Sequence, residues 1–241
     1  MDKSRTASLE IELDRRRVIR AAWWLLGVIV VIQVFRLLTD GLDLPGETLW
    51  RRLANVETEN TFPTWLSAAL FGLNAATAWI LGRAEHRAGG RFDRHWRGLA
   101  VIMLVLSVDE IASFHEMAGG VIRRTFGLSG PFFYAWVIPG LILVAALTVV
   151  YLRFVTSMPR PVRNRIVLAA ALFIGGAAGL EMLGGLFAET AARDGLGVAL
   201  LATTEEAMEL SGLIVLLDSF LTLAEQSVGS LKLGFVLHPR R

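Results

Sequence analysis

The chain reads as an all-α polytopic membrane protein, a bundle of about six transmembrane helices with both termini cytoplasmic. Three observations lead there. Hydrophobic residues make up 54% of the 241 positions and charged ones only 19%, whereas soluble domains carry roughly 25% charged residues. The apolar residues gather into six runs of 17 to 26 residues, enough at ~1.5 Å per residue to cross a hydrocarbon core about 30 Å thick. None of the runs alternates in polarity as the strands of a membrane barrel do.

The first run, 18–38, follows the basic flank Arg15, Arg16, Arg17 and Arg20. It is too long for a signal peptide and no small-x-small cleavage site follows it, so it reads as an uncleaved anchor. The second run covers 65–81, the third 99–122, the fourth 132–154, the fifth 166–188 and the sixth 198–223. Residues 1–17 and 224–241 are left as cytoplasmic tails around a single membrane domain. The longest connection, 39–64, contains Leu49, Trp50, Leu53 and Val56 at helical spacing, which predicts a short amphipathic helix on the outer surface. Pro139 in the fourth run predicts a kink. Gly175 and Gly179 form a Gly-x-x-x-Gly pair in the fifth, by default a packing seam.

Orientation follows from the basic residues. Eighteen Lys and Arg fall in the two tails and the even-numbered loops, against five in the odd-numbered loops. The side richer in Lys and Arg is cytoplasmic, and length and loop economy suggest the bacterial inner membrane. Trp23, Trp24, Trp79 and Trp96 fall at inner ends of runs and Trp65 and Trp136 at outer ends, as interfacial belts require. The net charge of +2 is what basic cytoplasmic loops produce and gives no reason to expect nucleic acid.

Chemistry is expected where ionisable residues enter the runs. The third carries Asp109, Glu110, His115 and Glu116, the fifth Glu181, and the sixth Glu205, Glu206 and Glu209, with Asp218 near its inner end. A charge at mid-membrane costs roughly 2.5–3.5 kcal/mol, so seven isolated carboxylates would cost on the order of 20 kcal/mol. They must be protonated, paired, hydrated or bound to cations. Counting from the span ends places His115, Glu116, Glu181 and Glu205 at one depth, about 10 Å below the outer boundary. Asp109, Glu110, Glu206 and Glu209 form a second set, read as proton relay or second shell. Asp109, Ser113 and Glu116 share one helical stripe, and Ser113 and Asn74 are candidates for lining a cavity.

One histidine among carboxylates is a hard, oxygen-rich set. It suits Mn, Fe, Ca or Mg, with Zn also compatible, as a divalent metal; without metal, clustered carboxylates share protons. The absence of cysteine excludes disulfides and thiolate metal sites. The chain has no P-loop, Gly-x-Ser-x-Gly or His-Glu-x-x-His motif, no repeated Glu-x-x-His of a di-iron bundle, and no lysine in its last span. The leading expectation is a protein that binds or transports a cation, metal or proton-coupled, at a buried site opening outward. The alternatives are a metal-dependent membrane hydrolase or transferase acting on a lipid, and a non-catalytic structural partner. Its surroundings are the lipid bilayer, its ligand a small cation or a lipid.

Overall fold

The computed structural model describes residues 7–12, 14–39, 61–190, 195–228 and 232–237; the helix expected between residues 47 and 57 lies outside them. Among the described residues eight α-helices follow in order: α1 Arg15–Leu38, α2 Phe62–Arg87, α3 Asp93–Ala112, α4 Phe114–Phe126, α5 Val137–Thr156, α6 Arg160–Ile174, α7 Glu181–Gly185 and α8 Leu196–Val228. Five of the described stretches are long and apolar enough to cross a membrane: α1, α2, α5, the continuous run from α6 through α7, and α8. The pair α3–α4 is a sixth span if its two halves are taken together.

The third span is therefore not the continuous helix expected over 99–122. It bends by 72° between α3 and α4, where Ser113 has φ 52° and ψ 37°, a left-handed conformation that ends a right-handed helix. The fifth span is also irregular. Between α6 and α7 the six residues Gly175–Leu180 form a π-helix, which widens the turn and rotates everything downstream relative to a regular α-helix. The fourth span carries no proline kink at its middle. Pro139 lies in the first turn of α5, where its missing N–H interrupts no helical hydrogen bond.

Local sequence explains three of the helix starts. Asp14 caps α1, its carboxylate accepting the N–H groups of Arg16 and Arg17 at 2.9 and 3.3 Å, which offsets orphan donors of the first turn. Proline occupies the first turn of α2 and of α6, where its fixed φ suits a helix start.

The helices α2 and α8 form the centre: 61% and 50% of their most apolar windows are buried, against 11% for α5. One cluster joins Ala22, Leu26 and Ile29 of α1 to Leu70 and Phe71 of α2 and to Leu210, Ile214 and Leu217 of α8. A second joins Ala78 and Leu81 of α2, Trp96 of α3, Phe154 of α5 and Phe220 of α8. Between helices in lipid the gain comes from close packing rather than water release, and glycines supply it. A Cβ on Gly212 of α8 would lie 2.8 Å from the Ala169 carbonyl oxygen and 2.9 Å from the Phe173 nitrogen, both α6 backbone.

The first and last spans are tied at one end. Arg15 donates to Asp218 at 2.7 Å and to Thr222 at 2.6 Å, and Arg165 at the start of α6 reaches the other Asp218 oxygen at 3.3 Å. Beyond this knot, strand β1 (Ala7–Glu12) pairs antiparallel with β2 (Lys232–Leu237), Ala7 opposite Leu237 and Glu12 opposite Lys232. Parts of the two tails thus meet as a two-stranded ribbon.

Candidate functional site at the broken spans

The break at Ser113 is held by Asp109. The Ser113 N–H donates to the Asp109 carbonyl at 2.7 Å, closing α3. One oxygen of the Asp109 carboxylate accepts the His115 backbone N–H at 3.1 Å, and the other meets His115 Nδ1 at 2.6 Å. The carboxylate thus stabilises the N-terminus of α4, where backbone N–H groups have no helical partner. A stripe counted at about 100° per residue does not run through a 72° bend, so Asp109, Ser113 and Glu116 do not share a continuous face.

The expected layer of His115, Glu116, Glu181 and Glu205 is consequently divided. His115 turns to Asp109 and lies edge-on against Trp136, ring centres 5.0 Å apart. Glu116, on α4, is exposed. Among the described residues, no group of three or more His, Asp and Glu is arranged to hold a metal ion. That is the correction to the expected ligand set: equal depth does not bring side chains to one point when their helix is bent between them.

What the carboxylates form is a string. Glu181 is within electrostatic range of Glu116, Glu205 of Glu181 and Glu206, and Glu209 of Glu206, Glu205, Glu110 and Glu181. The string crosses from α4 through α7 to α8 and reaches α3. Each member on α7 and α8 is at least partly buried.

Two local features allow the string. Glu181 is the first residue after the π-helix, and the extra width of that turn sets the direction in which α7 leaves. Gly176 within the turn packs onto α8 where the acids project: a Cβ there would lie 2.9 Å from the Glu205 carbonyl oxygen and 2.9 Å from Glu209 Cγ. The seam falls on Gly175 and Gly176, since Gly175 faces Met208 and a Cβ on Gly179 would touch nothing within 4 Å.

Trp136 links the dyad to the string. Its buried indole N–H approaches the Glu181 carboxylate without closing a hydrogen bond of good geometry, while its ring carries His115 and its backbone nitrogen would be 2.9 Å from a Cβ on Gly119. Sequence reasoning assigned Trp136 to the interfacial belt; nothing in a single tryptophan at a span end distinguishes the two roles. Asn74 is fully buried and joins α2 to α8, its Nδ2 donating to Leu70 and Leu213 carbonyls at 2.9 and 3.1 Å.

No curated protein and no solved structure matches the chain. A family model described as "Domain of unknown function (DUF8692)" matches residues 14–224, which takes in every helix from α1 to nearly the end of α8.

Proposed function

The chain belongs to the DUF8692 family, whose description carries no activity, and from its own residues we propose an integral membrane protein that binds and passes protons, coupled to a small cation. The carboxylate string carries this reading. Like-charged groups placed within range of one another inside an apolar bundle are costly unless protons or cations sit among them. A broken span on one side and a π-turn on the other frame the string, and interrupted helices of this kind are where membrane proteins expose backbone dipoles to transported ions. In this reading Glu181, Glu205 and Glu209 exchange protons or hold the cation, with Glu206 and Glu110 beside them. Glu116, the exposed member, is the entry. The Asp109–His115 pair holds α4 in place.

The basic residues support an orientation with both termini in the cytoplasm, which turns Glu116 to the outside, and a bacterial inner membrane suits a bundle of this size. A divalent metal in the same place would have to draw Glu116, Glu181 and Glu205 onto one point, and among the described residues no three such groups are so arranged.

The test is flux through proteoliposomes containing a pH-sensitive dye, with an imposed cation gradient of Na⁺, K⁺, Mg²⁺ or Mn²⁺ in turn. Wild type is expected to move protons against one of these gradients, and Glu205→Gln/Glu209→Gln to abolish the signal while remaining folded. Dye responses indistinguishable from empty liposomes for all four cations would dispose of the transport reading. Metal retained stoichiometrically through purification by wild type, and lost on Glu181→Gln, would move the assignment to a metal site.

A further inference from the structure

We infer that the end of α5 next to the α2–α3 turn is a binding site for an anionic phospholipid. An open groove of about 400 Å³ lies there, lined by Arg91, Phe92, Arg153, Thr156 and Ser157, with no carboxylate among them. Arg91 comes from the turn before α3 and Arg153 from the last turn of α5, so two chain segments bring guanidinium groups to one space. The Arg91 guanidinium lies over the Phe92 ring at 4.6 Å, which holds its head at the groove while its N–H edges stay free for an oxyanion. The hydroxyls of Thr156 and Ser157 donate to backbone carbonyls of their own helix. The two arginines are therefore the donors, and paired guanidinium groups select a phosphate.

The occupant is a lipid because the surface beyond the arginines is apolar and uncovered. Only the two ends of α5 are buried, at Val137 and Phe154. Between them Leu141, Ile142 and Leu143 are all exposed, though Leu141 and Leu143 point about 200° apart around the helix. Val149, Val150 and Leu152 continue this uncovered surface towards Arg153. An anionic head between Arg91 and Arg153 thus places its acyl chains along the exposed middle of α5, and the charge of the groove matches the charge of the head.

The experiment is lipid binding to the full chain in mild detergent, read by native mass spectrometry and thermal unfolding, with phosphatidylglycerol, phosphatidylcholine and glycerol 3-phosphate as probes. Phosphatidylglycerol is expected to bind in a saturable step and raise the unfolding temperature, phosphatidylcholine to do so weakly, and the soluble glycerol phosphate not at all. Arg91→Gln/Arg153→Gln is expected to bind phosphatidylglycerol about thirtyfold more weakly. Arg160→Gln/Arg163→Gln, with the same charge change outside the groove, should bind as wild type. Equal binding of the two phospholipids, equal loss in both double variants, or tight binding of glycerol 3-phosphate would each overturn the assignment. If Arg91→Gln/Arg153→Gln does not fold, Arg91→Lys/Arg153→Lys replaces it: charge is kept but the paired planar donors are lost, and affinity unchanged from wild type refutes the site.

Discussion

Substituting alanine at three glycines tests how the π-turn holds the acidic string. At Gly176 the added Cβ would sit 2.9 Å from the Glu205 carbonyl oxygen and 2.9 Å from Glu209 Cγ. Carbon–carbon contacts are most favourable at about 3.5–4.0 Å, so the π-turn and α8 must separate by several tenths of an ångström, and the carbonyl cannot swing aside as a side-chain tip does. At Gly212 both nearest atoms are backbone, at 2.8 and 2.9 Å. At Gly179 nothing lies within 4 Å. Overpacking of this kind costs about 1–3 kcal/mol, which shifts the unfolding equilibrium by about 5- to 150-fold. Gly179→Ala should be neutral or slightly stabilising, because alanine loses less backbone freedom. Equilibrium unfolding in mixed micelles, followed by helical circular dichroism, measures all three. Gly176→Ala and Gly212→Ala should both be destabilised and Gly179→Ala should not. If Gly179→Ala is as damaging as Gly176→Ala, the seam runs on Gly175 and Gly179 through a regular helix, and the π-turn is wrong. On the proposed function, Gly176→Ala should also cut proton flux more than Gly212→Ala does, since of the three its added Cβ meets Glu205 and Glu209.

Three further outcomes follow from particular contacts. Ser113→Gly should leave stability unchanged or raise it slightly, whereas Ser113→Val should cost about 1–2 kcal/mol or more, since a β-branched residue resists φ 52°; equal stability of the two in the same unfolding assay would refute the left-handed break. Asp109→Ala removes the acceptor for the His115 N–H and should destabilise by about 1 kcal/mol, with Asp109→Asn recovering part of the loss; no difference between Ala and Asn would mean that the cap contributes nothing. Asp218→Asn weakens pairs to Arg15 and Arg165 whose side chains are 24% and 49% exposed. Its cost should be below about 1 kcal/mol and should shrink in high salt, so a larger, salt-independent loss would show that the knot acts through packing.

The spans were legible because transfer free energy adds along a window whatever the local geometry. Among the described residues the six apolar runs fall on five helical stretches long and apolar enough to cross a membrane and on one pair bent by 72°. Hydropathy has no access to φ, and so the break at Ser113 passed as continuous helix. A signal for it was present: Asp109, Glu110, Ser113, His115 and Glu116 interrupt the apolar run within eight residues, and a side chain five or six positions ahead of a helical N–H reaches it only where the helix has ended. The π-turn is written in Gly175 and Gly176 only as a lack of Cβ, which a regular seam shares. The ribbon of the tails was readable, since Leu9 and Ile11 alternate with Ser8, Glu10 and Glu12 in the period of a strand.

Depth along the membrane normal is one coordinate of three, and the difference between the expected layer and the observed string comes from the other two. Residue counting set His115, Glu116, Glu181 and Glu205 at one height, and to make a ligand set they also had to agree in azimuth. The bend at Ser113 takes His115 to Asp109 and Trp136. The π-turn at Gly175–Leu180 turns Glu181 to an angle that no regular helix predicts. Depth alone does pair Arg15 with Asp218. Arg15 opens α1 and Asp218 lies in the last third of α8, at the same end of the bundle, and they meet at 2.7 Å. An arginine and an aspartate of opposite charge need only reach one another, which depth nearly guarantees for long side chains. Four converging metal ligands need angles that two helix breaks have changed. The irregular turns that conceal the site from sequence are thus the same ones that string the carboxylates from α4 to α8.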